Sequence, residues 1–225
     1  MPTKSIKIHS HPAFLSSLDK TLNLQSKKQT LIATQISDCE INIPENTDLT
    51  FITILKKGWE GTKTLNFNFK GRGSNINFLA LIIGKRKEKF TLRTNSNHFA
   101  GETKAYYTVK TVLFDQCEMD YVGFLNIHKR AQMIDSHLSH HTLLLSPDAK
   151  VKTVPSLEIE ADDVKAGHSA SIGHLDDEIL FYLKSRGICE KEAKSLLVEG
   201  FIKSDLGIID DLKIRKTLEK ELSII

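Results

Sequence analysis

From about residue 40 to 171 the apolar residues recur with period two, in short runs broken by Gly, Asn, Asp or basic turns. Leu65, Phe67 and Phe69 alternate with Asn66 and Asn68. Ile76 and Phe78 lead into the apolar run Leu79 to Ile83, Tyr107 and Val109 precede Val112 to Phe114, and Val122, Phe124, Leu125 and Ile127 follow Cys117 to Asp120. Successive side chains of a strand point to opposite faces, so the pattern predicts a series of half-buried strands. No helical period of ten or more residues interrupts the stretch. That excludes βαβ crossovers and leaves a sandwich, a barrel or a solenoid, among which spacing alone does not choose. Strand-and-turn units at irregular intervals, with Asn and Gly in the turns, suit a parallel β-helix in which each coil stacks on the last.

After Gly173 the periodicity becomes helical. Leu175 to Lys184 predicts a short helix, with Asp176, Asp177 and Glu178 in the first turn where carboxylates meet the positive end of the helix dipole. Gly187 supplies its stop. Ala193, Leu196, Leu197, Gly200 and Phe201 follow at helical spacing as one apolar stripe. Asp210 or Asp211 is placed to cap a last helix, along which Ile214, Leu218 and Leu222 line one side. At the other end, Phe14, Leu15, Leu18 and Leu22 have helical spacing, predicting a helix within residues 12 to 24 before a strand at Leu31. The expected organisation is a short N-terminal segment (1–38), a β core (39–173) and a C-terminal helical subdomain (174–225).

Composition removes several function classes. At 225 residues, with 40% hydrophobic and 26% charged residues, the chain has material for a sizeable core. No apolar run approaches the roughly 18 residues of a membrane span, and the N-terminus lacks the apolar centre of a secretory signal, so a cytoplasmic protein without a membrane partner is expected. A net charge of +3, with basic and acidic residues interspersed, does not suggest binding to nucleic acid. The one dense basic run, Lys85-Arg86-Lys87, reads as a solvated turn between strands.

His137, His140 and His141 cluster in sequence, yet a zinc site needs three or four ligands in fixed geometry, and on a strand His140 and His141 would point to opposite faces. Surface histidines are the plainer expectation. Cys39, Cys117 and Cys189 lie far apart and form no cluster-binding spacing. The first two read as buried structural thiols; Cys189 falls where a helix N-cap is expected. No Gly-x-x-x-x-Gly-Lys-Ser/Thr loop occurs, so the chain is not expected to hold ATP itself.

One ordered set of motifs goes further. Leu-Glu-Ile-Glu-Ala-Asp-Asp-Val-Lys spans residues 157 to 165, then come Gly167-His168-Ser169-Ala170-Ser171 and Gly173, Leu180-Phe181-Tyr182-Leu183 with Arg186-Gly187, and Glu192-Ala193 opening an apolar helix. Upstream stand Ala131-Gln132, Asp135-Ser136 and the segment Leu143 to Ala149. Together, over roughly residues 60 to 205, these stretches resemble the C-terminal signature of the SufB/SufD family, which builds iron–sulfur clusters. The resemblance implies a right-handed parallel β-helix with a small C-terminal α-helical subdomain, and a scaffold role without catalysis of its own. It implies a SufC-type ABC ATPase docked on the C-terminal helices, for which Tyr182, Arg186, Leu196, Leu197 and Phe201 are the candidate contacts. It also implies pairing with a SufB-type subunit, or a second copy of this chain, near His168. A neutral imidazole there can ligate iron or pass a proton near neutral pH, so His168 is the candidate metal and cluster-assembly residue.

Two departures set the branch. SufB-type chains carry a cysteine, the residue taken to accept sulfur, where Ile134 stands, and they flank the histidine with glutamates where this chain has Gly167 and Ser169. Both make the chain closer to SufD. Many SufD-type chains also carry a cysteine at the position of Ala166, and that thiol is lost here. No cluster is therefore expected to stay on the chain alone, and iron or a transient cluster is expected only at a partner interface. The alternatives are a reduced, self-pairing scaffold working with the ATPase alone, and a β-solenoid that only binds protein, with His168 silent. A β-helix lyase or acyltransferase needs clustered groove carboxylates or strict hexapeptides, and neither is present.

Overall fold

The computed structural model describes residues 13–15, 18–24, 28–56, 60–209 and 211–222. Seven strands, β1 (Ala13–Leu15), β3 (Lys28–Ala33), β5 (Asp48–Leu55), β7 (Asn75–Gly84), β9 (Lys104–Leu113), β11 (Ile134–Leu144) and β13 (Val164–His174), form one sheet in that order. Six more, β2 (Leu18–Asn23), β4 (Ile36–Ile43), β6 (Gly61–Phe69), β8 (Lys89–His98), β10 (Glu118–Ile127) and β12 (Lys150–Ile159), form the other. Every neighbouring pair is parallel. The chain thus alternates between two sheets, one strand of each per coil, and is a parallel β-solenoid. The mainly β reading with C-terminal helices holds.

Register turns the period-two pattern into interior columns. Leu31, Phe51, Phe78, Tyr107, Leu138 and His168 are successive partners across the first sheet. The rings of this column meet Phe67 of the facing sheet, with centroids 5.2 Å from Phe78 and 5.1 Å from Tyr107, distances at which tilted and edge-on aromatic pairs are favourable. Turns between strands demand positive φ at Asn46, Arg86, Asp115 and Met133. Lys85-Arg86-Lys87 is such a turn, joining β7 to β8.

Polar side chains inside the solenoid bond to one another. The Tyr107 hydroxyl donates to Ser96 Oγ at 2.9 Å, Ser96 meets His98 Nε2 at 3.0 Å, and His98 Nδ1 meets Thr103 at 2.7 Å. Thr94 meets the Tyr121 hydroxyl at 2.8 Å. Cys39 and Cys117 are buried, as expected, and burial pushes the Cys117 thiol up to about 12.

The segment expected to be helical is not. Residues of the 12–24 stretch form β1 and β2, which open the two sheets, so the coils begin before residue 39 and the boundary expected there falls inside β4. The spacing of Phe14, Leu15, Leu18 and Leu22 fits a helix and equally fits two short strands. Parallel pairing with β3 and β4 selects the second.

The C-terminal helices follow the sequence reading closely. Helix α1 (Asp177–Ser185) is capped by Asp176, whose Oδ1 accepts from the backbone N–H of Glu178 at 2.9 Å and Ile179 at 3.1 Å. Gly187, at φ 87°, lies just beyond its end. Helix α2 (Glu190–Lys203) has Cys189 at its N-cap position, where the thiol makes no capping bond. Helix α3 (Leu212–Leu222) takes Asp211 as cap, its Oδ1 accepting from Ile214 N at 3.2 Å; Asp210 lies outside the described residues. Val198 and Ile202 of α2 and Ile214, Leu218 and Leu222 of α3 pack on the outer face of the first sheet, against Ile52, Ile54, Leu79, Leu81 and Val112. Covering both faces explains why β5, β7 and β9 end in continuously buried runs instead of alternating ones.

Lys110 fastens this contact. It projects from the outer face of β9, is 6% exposed, and donates to Phe201 O at 2.6 Å and to Ser204 Oγ, while pairing with Asp205 at 2.5 Å. Its ammonium also lies 4.8 Å from the centre of the Phe201 ring. A cation at the C-terminal end of α2 meets the negative end of the dipole.

Candidate functional site

β13 and β12 end the two sheets, each bonded to one neighbour, β11 and β10 respectively. The last coil therefore offers an edge in both sheets and an uncovered interior. On β11 the inward residues Ile134, Ser136, Leu138 and His140 are 1–2% exposed. Their partners on β13 are Val164, Ala166, His168 and Ala170, and by register they share the inward face. Val164 and Ala166 touch the core, whereas His168 and Ala170 are exposed. His168 thus tops the column of Tyr107 and Leu138 at the open end of the solenoid. Ile172 on the same face is 50% exposed, and Val154 on the outer face of β12 is 37% exposed, so the open coil carries apolar surface.

Of the three clustered histidines, His140 contradicts the surface expectation, being 1% exposed, and as anticipated it faces oppositely to His141. Its Nε2 bonds Thr111 and Thr142, both at 3.1 Å, and its ring lies 4.7 Å from that of Tyr121. Burial lowers it to about 4, with His141 adding a smaller push in the same direction. Its Nδ1 is buried without a hydrogen-bond partner. On the outer face, His137 Nε2 meets Ser169 Oγ at 3.3 Å, and His141 Nδ1 meets Ser171 Oγ at 2.7 Å. Partial burial first, then the Lys110 cation, lowers His141, with Asp205 opposing. A shallow groove of about 430 Å³ runs beside Tyr106, Asp135, His137, Lys165 and Gly167. A Cβ on Gly167 would fall 3.0 Å from His137 Nδ1, so glycine there leaves the imidazole its place.

The helical residues singled out from sequence separate into two sets. Leu196 and Tyr182 are 48% and 55% exposed, and the Arg186 guanidinium lies 5.2 Å over the Tyr182 ring. Leu197 and Phe201 are half-buried, and Phe201 packs against the contact between sheet and helices. The buried stripe of α2 is instead Ala193, Val198 and Ile202, because the sheet faces the helix side rotated away from Leu196. Helix α1 has no buried residue, and it adds Ile179 at 46% and Phe181 at 73% exposure to the apolar surface. Sequence reasoning missed these two, although the unbroken run Ile179 to Leu183 signals a helix apolar all round, which needs cover. Lys184 and Lys194 both pair with Glu190, tying α1 to α2 and drawing that carboxyl down to about 2. Among the described residues no group of three His, Cys, Asp or Glu is placed to hold a metal, and no helix is long and apolar enough to cross a membrane.

These features define a class: a two-sheet parallel β-solenoid with helices on one flank and an open, histidine-bearing last coil. Residues 20–201 match the family described as SUF system FeS cluster assembly, SufBD core domain, and the chain belongs to it. It is 34% identical over 131 residues to the iron–sulfur cluster assembly protein SufD of Escherichia coli, a stretch covering 58% of this chain and 31% of that one. Identity to an iron–sulfur cluster assembly SufBD family protein of Mycobacterium leprae is 32% over 188 residues, covering 78% and 48% of the two chains. For SufD of Bacillus subtilis it is 29% over 158 residues, covering 70% and 36%. The chain thus spans between about a third and a half of the length of these relatives, and within the family it stands closer to SufD.

Proposed function

We propose that this chain is a non-catalytic, SufD-like scaffold subunit of a cytoplasmic iron–sulfur assembly complex. Its open last coil pairs with a SufB-type subunit, and its C-terminal helices dock a SufC-type ABC ATPase. The observation that carries the reading is His168, an exposed imidazole on the inward face of the terminal coil, beside strand edges that have no further strand partner among the described residues. Bare strand edges promote association, and association here brings the partner's residues to His168. The thiols support a heterologous partner over a second copy: Cys39 and Cys117 are buried, Cys189 belongs to the start of α2, and Ile134 and Ala166 stand at the two positions where the family resemblance implies cysteine. The partner then supplies the thiolates, while His168 ligates iron or moves a proton at its free ring nitrogen. Iron and sulfide are cargo, assembled at the interface and released.

For the ATPase, the exposed set Ile179, Phe181, Tyr182 and Leu196 is the proposed contact, anchored by aromatic side chains of the kind that dominate interfaces. Hydrolysis in the ATPase would shift the paired scaffolds toward an opened interface.

The test is the complete complex carrying His168→Ala. Because the side chain is exposed, the substitution should cost stability no more than roughly 0.5 kcal/mol and leave ATPase binding unchanged. Cluster formation, followed by its visible absorbance, should fall. Full assembly by the alanine variant, or a chromophoric cluster retained by the chain alone after anaerobic reconstitution, would overturn the reading.

A further inference from the structure

A buried ring nitrogen with no hydrogen-bond partner is uncommon in a folded protein, because its lost hydration goes uncompensated. His140 Nδ1 is such an atom. The ring cannot simply turn to satisfy it, since Nε2 is held by Thr111 and Thr142 and the Tyr121 ring packs against the imidazole. In register with His140 on the terminal strand stands Ala170, an exposed residue whose side chain is a single methyl. The next inward residue on that strand is His168, in register with Leu138, so the two imidazoles are diagonal neighbours on adjacent strands. Diagonal positions lie about 7–8 Å apart at the backbone, within reach of two ring side chains, and His168 is exposed and free to choose its rotamer.

We infer that His140 Nδ1 and the His168 imidazole form a two-histidine site for a borderline divalent cation, Fe²⁺ or Zn²⁺, at the mouth of the solenoid interior. The inference rests on the proposed role of His168 and adds an inner ligand to it. Neutral imidazoles suit both ions, and two nitrogens leave coordination positions open for water or for a partner's thiolate. His140 is the fixed member, held by its two threonines as ligating histidines commonly are by their other nitrogen, and His168 is the movable one. Iron held there would be presented at the edge of the chain without being sequestered by it.

The test uses the chain by itself with Zn²⁺ as the probe, followed through the ring-nitrogen NMR signals of the ¹⁵N-labelled protein. Zinc should shift the His140 and His168 signals together, with one common saturation curve. His168→Ala and His140→Gln should each weaken that event about tenfold or more, the expected loss for one ligand of a two-ligand site, and the double variant should be little worse than either. His140→Leu serves as a second variant, with the dispersion of the other amide signals reporting an intact fold. If zinc moves His137 and His141 alone, or His168 without His140, the inner ligand is refuted. Because no partner is present, this outcome is independent of pairing and ATPase docking: failure of those would leave the zinc result standing, and the reverse holds equally.

Discussion

Interior histidines make the stability of this solenoid sensitive to acid. His98 is fully buried against Phe69, with ring centroids 4.3 Å apart, and burial lowers it to about 3; His140 is lowered to about 4. In the unfolded chain both titrate near 6.5. Between that value and the folded ones the unfolded state therefore binds more protons, so stability rises with pH. The contribution is fully present above about 6.5 and is lost as pH falls through 4 and toward 3, at up to about 1.4 kcal/mol per pH unit for each group. Urea midpoints measured from pH 7.5 to 4 should fall, and His98→Gln should flatten the dependence. A midpoint independent of pH over this range would contradict the buried neutral rings. The sequence disclosed that His140 and His141 face opposite ways, because strand geometry alone fixes that. It did not disclose that His140 faces the core, since the choice between faces depends on which side the second sheet covers.

At the scale of elements, strands were legible and helix faces less so. Alternation along residues 65–69 translates directly into alternating burial at the end of β6, whereas in β8 the inward face continues past Leu92 with Thr94, Ser96 and His98, which no apolar pattern marks. In α2, neighbouring apolar residues Leu196, Leu197 and Val198 permit a stripe rotated by about 100° per residue, and only the shape of the sheet selects Val198. Helices α2 and α3 have a structural role of their own beside the proposed docking, because they cover Ile52, Ile54, Leu79, Leu81 and Val112. Removing residues 175–225 would uncover that face, and point changes on α1 probe docking more cleanly. Phe181→Asp should weaken SufC-type binding on the order of tenfold or more, read by coprecipitation or calorimetry, with the melting temperature of the chain unchanged. Undiminished binding would remove α1 from the interface. The Lys110 fastening gives an asymmetric expectation. Asp205→Ala strands a buried cation and should cost about 1–3 kcal/mol, discounted from a fully buried pair because Asp205 is 38% exposed. Lys110→Met removes the cation together with its desolvation cost and should cost less, as denaturant titrations of the two variants would reveal.

Across the whole molecule, each parallel coil satisfies the strand edges of the one before it. Among the described residues the strands left with one neighbour are therefore the terminal ones, β1 and β2 at one end and β12 and β13 at the other, and the second pair is the coil that carries His168. The proposed assembly site and the proposed association surface coincide for this reason. Ile172 and Val154 belong to that coil and are too exposed to contribute much to the core. The purified chain should consequently not be monomeric at micromolar concentration, alone or with a SufB-type partner. Ile172→Glu should shift it to monomer in light scattering while leaving the unfolding transition within about 0.5 kcal/mol of the parent, because an introduced charge opposes burial at an interface but is tolerated in water. A parent chain that is already monomeric with and without the partner, or a variant that associates as before, would separate pairing from the open coil and leave His168 without the interface on which its proposed role depends.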